Sequence, residues 1–129
     1  MADGAFRNYL KKALSRYFQI SALEDPDLLK DTVVRQNPDA IIIDDNVNGT
    51  NGDTLSFRIK TDKMIGYIPV VLLIRAFDNE SYLSHLGSGA DRLELRTESI
   101  CRLRANIRML VENRMVLRER VKLFLSDAV

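Results

Sequence analysis

The chain has 129 residues, 46% of them apolar, and nineteen basic residues against eighteen acidic ones leave a net charge of +1. That length suits one domain with a real core and is too short for two, and so small a net charge supplies no global field to gather nucleic acid, membrane or a highly charged substrate. The single cysteine, Cys101, excludes an internal disulfide framework, and the single histidine, His85, removes most metal and triad chemistry.

After Met1 the charges of Arg7, Lys11 and Lys12 interrupt any segment of signal-peptide or membrane-spanning length, so a soluble cytoplasmic chain with no membrane partner is expected. Over residues 5–18, Phe6, Leu10, Ala13, Leu14 and Tyr17 recur at steps of three and four, which predicts an amphipathic helix. Residues 18–23 (FQISAL) alternate as a short strand. Asp25-Pro26 then offers an N-cap with proline at the first helical position, and the second helix carries Leu28, Leu29, Val33 and Val34 until Asn37-Pro38 ends it.

Residues 38–55, PDAIIIDDNVNGTNGDTL, are the centre of the pattern. Ala40, Ile41, Ile42 and Ile43 form an apolar run without polar alternation, as a strand buried on both faces of a parallel sheet does. The strand stops on Asp44 and Asp45, and the crevice beyond the carboxyl ends of such strands is where open α/β sheets bind ligands. The same carboxylates also suit a simple turn, so turn and site both remain open from these residues alone. Asp39 is read as the start of the strand and Asp45 as a loop residue. Asn48-Gly49 and Asn51-Gly52 mark turns, and Leu55, Phe57 and Ile59 sit in a short helix ending near Thr61.

Residues 69–74 (PVVLLI) make the second buried strand, with Pro69 at its entry. A helix over about residues 79–86 follows, with His85 expected at its surface; Gly87-Ser88-Gly89-Ala90 breaks it, and Leu93 to Leu95 makes a brief last strand. From Thr97, an expected N-cap, a long helix is written. Ile100, Leu103, Ile107, Leu110, Leu117, Val121 and Phe124 continue a heptad-like seam interrupted at Arg114, and Cys101 is expected to fill core space. Residues 1–112 are thus read as the domain and 113–129 as a helical extension that forms a homodimer seam or linker. Seven basic residues stand between Arg102 and Lys122 against Glu112 and Glu119 alone, but without interleaved aromatic residues a solvated helix face is expected and no direct binding of nucleic acid. Strands alternating with helices at this spacing predict an α/β domain, a parallel sheet with helices on both faces.

With these elements in order, the chain resembles the receiver domain of two-component response regulators and hybrid histidine kinases. The residues that carry the resemblance are Pro38-Asp39 before a buried strand, Asp44 at its end, Asn51-Gly52 downstream, the run from Ile68 to Leu73, and Gly89-Ala90-Asp91. It implies a flavodoxin-like three-layer parallel sheet and a phosphorelay domain that is not itself an enzyme. Its partners would be a histidine kinase or phosphotransfer protein, and a hybrid histidine kinase is one parent such a domain has. It further implies Asp44 as phosphoacceptor, Arg96 at the phosphate-binding lysine position, and Mg2+ held by Asp44, Asn46 and Asp3 if the site is competent for phosphorylation, with no cofactor otherwise.

Several positions depart from the family pattern. Ile74 stands where the family has a hydroxyl, Leu93 where it has a switch aromatic, Arg96 where it has lysine and Thr97 where it has proline. Arginine for lysine is not conservative at a tight site. The family's first strand, which lies between the second and third and carries an acidic pair, is missing from the start of this chain: Ala2 falls at the second acid, and only a slip at Gly4 brings Asp3 near. Either the true first strand lies upstream of this sequence, or the domain is a degenerate receiver that no longer needs the metal; within this chain, the expectation is that the remaining strands pair directly or that a second chain repairs the gap by swapping. Two alternatives accompany the phosphorelay reading. One is a phosphorylation-independent pseudo-receiver acting in protein interaction or dimerisation, and the other a small flavodoxin-like nucleotide- or flavin-binding domain.

Overall fold

The computed structural model describes residues 4–23, 26–44, 51–75, 79–96, 99–112 and 122–127. Helix α1 (Gly4–Leu14) leads into β1 (Gln19–Leu23). A 3-10 turn over Pro26–Leu28 precedes α2 (Leu29–Gln36), which Asn37 ends with a left-handed φ of 50° while its N–H donates to the Val33 carbonyl. Asparagine tolerates that conformation, and Pro38 cannot continue a helix, so the chain turns into β2 (Ala40–Asp44). Then come α3 (Asn51–Thr61), β3 (Val70–Ile74), α4 (Asn79–Gly87), β4 (Arg92–Leu95), α5 (Ile100–Glu112) and β5 (Lys122–Asp127). No helix among the described residues is long and apolar enough to cross a membrane.

The strands form one parallel sheet in the order β1-β5-β2-β3-β4. Alternate side chains of each strand point to opposite faces. Ile41, Ile43, Val70, Leu72, Ile74 and Phe124 meet Leu29 and Val33 of α2 and Leu55 and Ile59 of α3. On the other face Ala40, Ile42, Val71, Leu73, Leu123 and Leu125 meet Leu10 and Leu14 of α1 and Leu103, Ile107 and Val111 of α5. Both faces of β2 and β3 are covered, which is why neither strand alternates in polarity.

The slot between β1 and β2 holds the main correction to the sequence reading. The first strand is not lost to direct pairing or to another chain, because the chain's own C-terminal strand β5 lies between β1 and β2, in register Ile20↔Leu123 on one side and Ile41↔Phe124 on the other. The long C-terminal helix is corrected at its far end, where Lys122–Asp127 is the strand β5; α5 is described over Ile100–Glu112, and residues 113–121, with Leu117 and Val121 of the expected dimer seam, lie outside the described residues. Phe124, read as a seam position, is fully buried in the sheet with Leu123 and Leu125. Three consecutive apolar residues buried on both faces gain about 1.5–3 kcal/mol each, and the strand supplies the ladder partners that β1 and β2 need.

Smaller corrections follow from the same packing. The inward stripe of α5 runs Leu103, Ile107 and Val111, which turns Cys101 outward, so it is exposed and fills no core. Ser99 caps α5, its Oγ accepting from the Arg102 N–H at 3.2 Å; Thr97, like Asp25, lies outside the described residues. His85 is buried rather than at the surface of α4, with Nδ1 2.7 Å from Asp53 Oδ1, while Ser84 Oγ donates to Asp53 Oδ2 at 2.6 Å.

Candidate functional site at the end of β2

Asp44 ends β2 with 1% of its surface exposed, at the carboxyl edge of the sheet. β4 runs parallel two strands away and delivers Arg96 immediately after its last residue; the Arg96 N–H donates to the Ile74 carbonyl at 2.9 Å, which fixes where the side chain departs. The guanidinium reaches across β3 to the carboxylate. Nη2 donates to Oδ2 at 3.1 Å, and Nε lies 2.7 Å from Oδ1. The Nε contact is too bent to count as a hydrogen bond, so it is an ion contact beside one directed bond. The Phe6 ring of α1 lies 4.2 Å from the Arg96 guanidinium carbon, a stacking contact that holds the plane in place.

Such a pair is strongly fixed by its surroundings. Both charges are largely withdrawn from water, and removing either would leave the other poorly compensated. The guanidinium fork faces both carboxylate oxygens.

The other positions singled out by the sequence divide into those near this pair and those not described. Ile74 is fully buried at the end of β3 and has no donor to offer, and Leu93 lies half-buried opposite Leu72 on β4. Asp3, Asp45 and Asn46 lie outside the described residues. Asp127, which sequence reasoning missed, ends β5 in backbone register with Asp44. Its signal was present: KLFLSD repeats the pattern of AIIIDD, an apolar run that stops on an acid. Phe6 was seen as a core position of α1, but its place under Arg96 depends on tertiary packing.

Asp44 turns its two oxygens toward a guanidinium, and no cluster of three metal-ligating side chains occurs among the described residues. Gly89-Ala90-Asp91 has a different, structural part: Asp91 Oδ2 accepts from the Val70 N–H at 2.8 Å and from Lys60 Nζ at 2.8 Å, joining α3 to the entries of β3 and β4.

No protein-family model matches the chain, and no curated protein matches it in sequence. Its fold is nonetheless shared with solved receiver domains. The signal receiver domain of a signal transduction histidine kinase from Syntrophus aciditrophicus superposes with a TM-score of 0.78 at 20% identity, over 91% of this chain and 89% of that one. The N-terminal domain of the nisin resistance regulator NsrR, a lantibiotic response regulator, gives 0.69 at 21% identity, over 86% and 92%. The Mn2+-bound form of response regulator Rcp1 gives 0.59 at 16% identity, over 93% and 91%. The chain has the α/β receiver fold.

Proposed function

We infer that this chain is a receiver-type signalling domain that works by protein interaction, with its acceptor position held by an internal cation rather than by turnover of a phosphoryl group. The observation that carries this reading is the Asp44–Arg96 pair. An acceptor carboxylate must present a free oxygen to phosphorus, in line with the leaving group. Here both oxygens face the guanidinium, which lies over the Phe6 ring. Ile74 offers no hydroxyl to a phosphoryl oxygen, and Arg96 already makes the contact that a cation at this position would make to one. A fixed pair of this kind resembles the bonded, signalling arrangement without a phosphate. Its partners would be proteins of a two-component pathway, a histidine kinase or phosphotransfer protein among them, and the reading requires no Mg2+.

A second reading has its own observation. Asp127 stands in register with Asp44, the place where an acid from the central strand would assist a live phosphoacceptor. Intact-mass spectrometry after incubation with magnesium and acetyl phosphate separates the two. The first reading predicts an unchanged mass. A phosphoryl adduct lost in Asp44→Asn would overturn it and favour the second.

A further inference from the structure

The helices α1 and α5 lie side by side on one face of the sheet, joined through Leu10, Leu14, Leu103 and Ile107. Arg7, Lys11, Lys12 and Arg16 come from α1 and the turn after it, and Arg102, Arg104 and Arg108 from α5; the only acid among the described residues of these two helices is Glu112. Because the whole chain carries only +1, the rest of it is net acidic and this face is a local basic field. Lys11, Lys12, Arg16 and Arg102 make no ion pair among the described residues, so their charge is not spent internally.

Aromatic side chains from α1 and the turn after it are set among these cations. The Arg104 guanidinium lies 4.1 Å from the centre of the Tyr17 ring, and Arg108 lies 5.4 Å from that of Phe18. Tyr9 is 57% exposed and Tyr17 39%. Between the helices opens a groove of about 450 Å3 lined by Tyr9, Lys12, Ala13, Arg16, Tyr17 and Ile100. The interleaving that α5 lacks in its own sequence is thus supplied by α1 and the turn after it.

We propose that this groove binds single-stranded nucleic acid, with the tyrosines stacking on bases and Lys12 and Arg16 facing the phosphates. A positive track with exposed aromatic rings is how proteins hold single strands without reading sequence. The lining argues against an acidic amphipathic helix, which needs aliphatic pockets at spacings of three and four for its anchors. Only Ala13 and Ile100 are aliphatic here. Tyr9 stands on α1 and Tyr17 in the turn after it, with Lys12 and Arg16 between them in the chain and beside them in the groove lining.

The test is fluorescence anisotropy with labelled oligo(dT) and oligo(U) of about 20 nucleotides, on the full chain. Binding is expected at 50 mM salt and should weaken roughly 50-fold at 200 mM if about four cations contact phosphate. Tyr9→Ala should weaken it at least about 5-fold through lost stacking, and Lys12→Glu with Arg16→Glu should abolish it. Each variant must keep the parent's thermal midpoint by circular dichroism; for any that does not, Tyr9→Leu and Lys12→Gln replace it. No anisotropy change at 50 mM salt would overturn the proposal. So would binding that is indifferent to the tyrosine and displaced equally well by polyglutamate, which would mark an acidic-protein face. Binding to phosphatidylserine vesicles without oligonucleotide binding would overturn it as well.

Discussion

Asp39 and Lys122, more than eighty residues apart in the chain, clasp each other at the entry of β5: the Asp39 N–H donates to the Lys122 carbonyl at 2.6 Å, and Asp39 Oδ2 accepts from the Lys122 N–H at 2.8 Å. Lys122 Nζ adds a bond to the Gln36 carbonyl at 2.7 Å. The carboxylate is buried and sets where β5 enters beside β2, and therefore where β5 ends beside Asp44. Replacing Asp39 with Ala leaves the first amide of β5 without this acceptor. The expected loss is about 1–3 kcal/mol, read by urea unfolding, and Asp39→Asn should recover part of it through its carbonyl oxygen.

The strand itself carries a larger share. Phe124→Ala removes a fully buried ring from between α2, α3 and the sheet, and should cost about 3–5 kcal/mol. Because β1 pairs only with β5 among the described strands, amide exchange in β1 should accelerate together with that in β5. Fast exchange confined to β5 would show that β1 is held by other means.

Asp53 and His85 form a buried contact between α3 and α4, with Ser84 as a third member. Substituting His85 with Ala leaves the Asp53 carboxylate buried with the Ser84 hydroxyl as its one remaining side-chain partner of the trio. The expected destabilisation is about 2–3 kcal/mol. Ser84→Ala removes the bond to the other oxygen, Oδ2, made by a hydroxyl whose residue is exposed and can be replaced by water, and should cost less than half as much in the same denaturation assay.

Two glycines provide a paired check on the α3–β3 connection and α4. A Cβ at Gly66 would sit 2.6 Å from the carbonyl oxygens of Asp62 and Lys60, both backbone, so Gly66→Ala forces the turn open. A Cβ at Gly87 meets nothing within 4 Å. The first substitution should lower the thermal midpoint by several degrees, about 1–3 kcal/mol, and the second should leave it unchanged or slightly raised.

Asp62 accepts from Lys30 Nζ, 2.9 Å away, and from the Met64 N–H. The hydrogen bond from Lys30 and then that from Met64 hold its carboxyl below the ordinary value of 3.8. A depressed folded-state pKa means that this contribution is present above the unfolded value and is lost as pH falls through the folded one. Carboxyl NMR titration should show the Asp62 pKa rise toward its ordinary value in Lys30→Ala. Acid-induced loss of the wild-type contribution should fall below about pH 3.8.

Much of this architecture was legible from residue order. The unbroken apolar runs of β2 and β3 announced strands covered on both faces, Asn37-Pro38 marked the end of α2, and Asp44 stood at the carboxyl edge where the resemblance to receiver domains placed it. β5 was hidden because Phe124 continues the three- and four-residue steps of α5, so a helical period and a buried-strand run share the same residue. Chain order also gives no sign that the last strand enters the middle of the sheet; only the unfilled ladder between β1 and β2 demands it. The burial of His85 depends on Asp53, thirty-two residues earlier, and neither residue reveals the other in a linear pattern. The resemblance assigned Asp44 and Arg96 to one site, whereas the Phe6 ring beneath the guanidinium depends on how α1 packs.

The account turns on Arg96 being held by Asp44, and NMR of the arginine side-chain N–H groups tests this most directly. It predicts resolved, slowly exchanging Arg96 guanidinium resonances at neutral pH, lost or averaged in Asp44→Asn while the other arginines are unaffected. Arg96 resonances that exchange as fast as those of exposed arginines, and do not respond to Asp44→Asn, would contradict it.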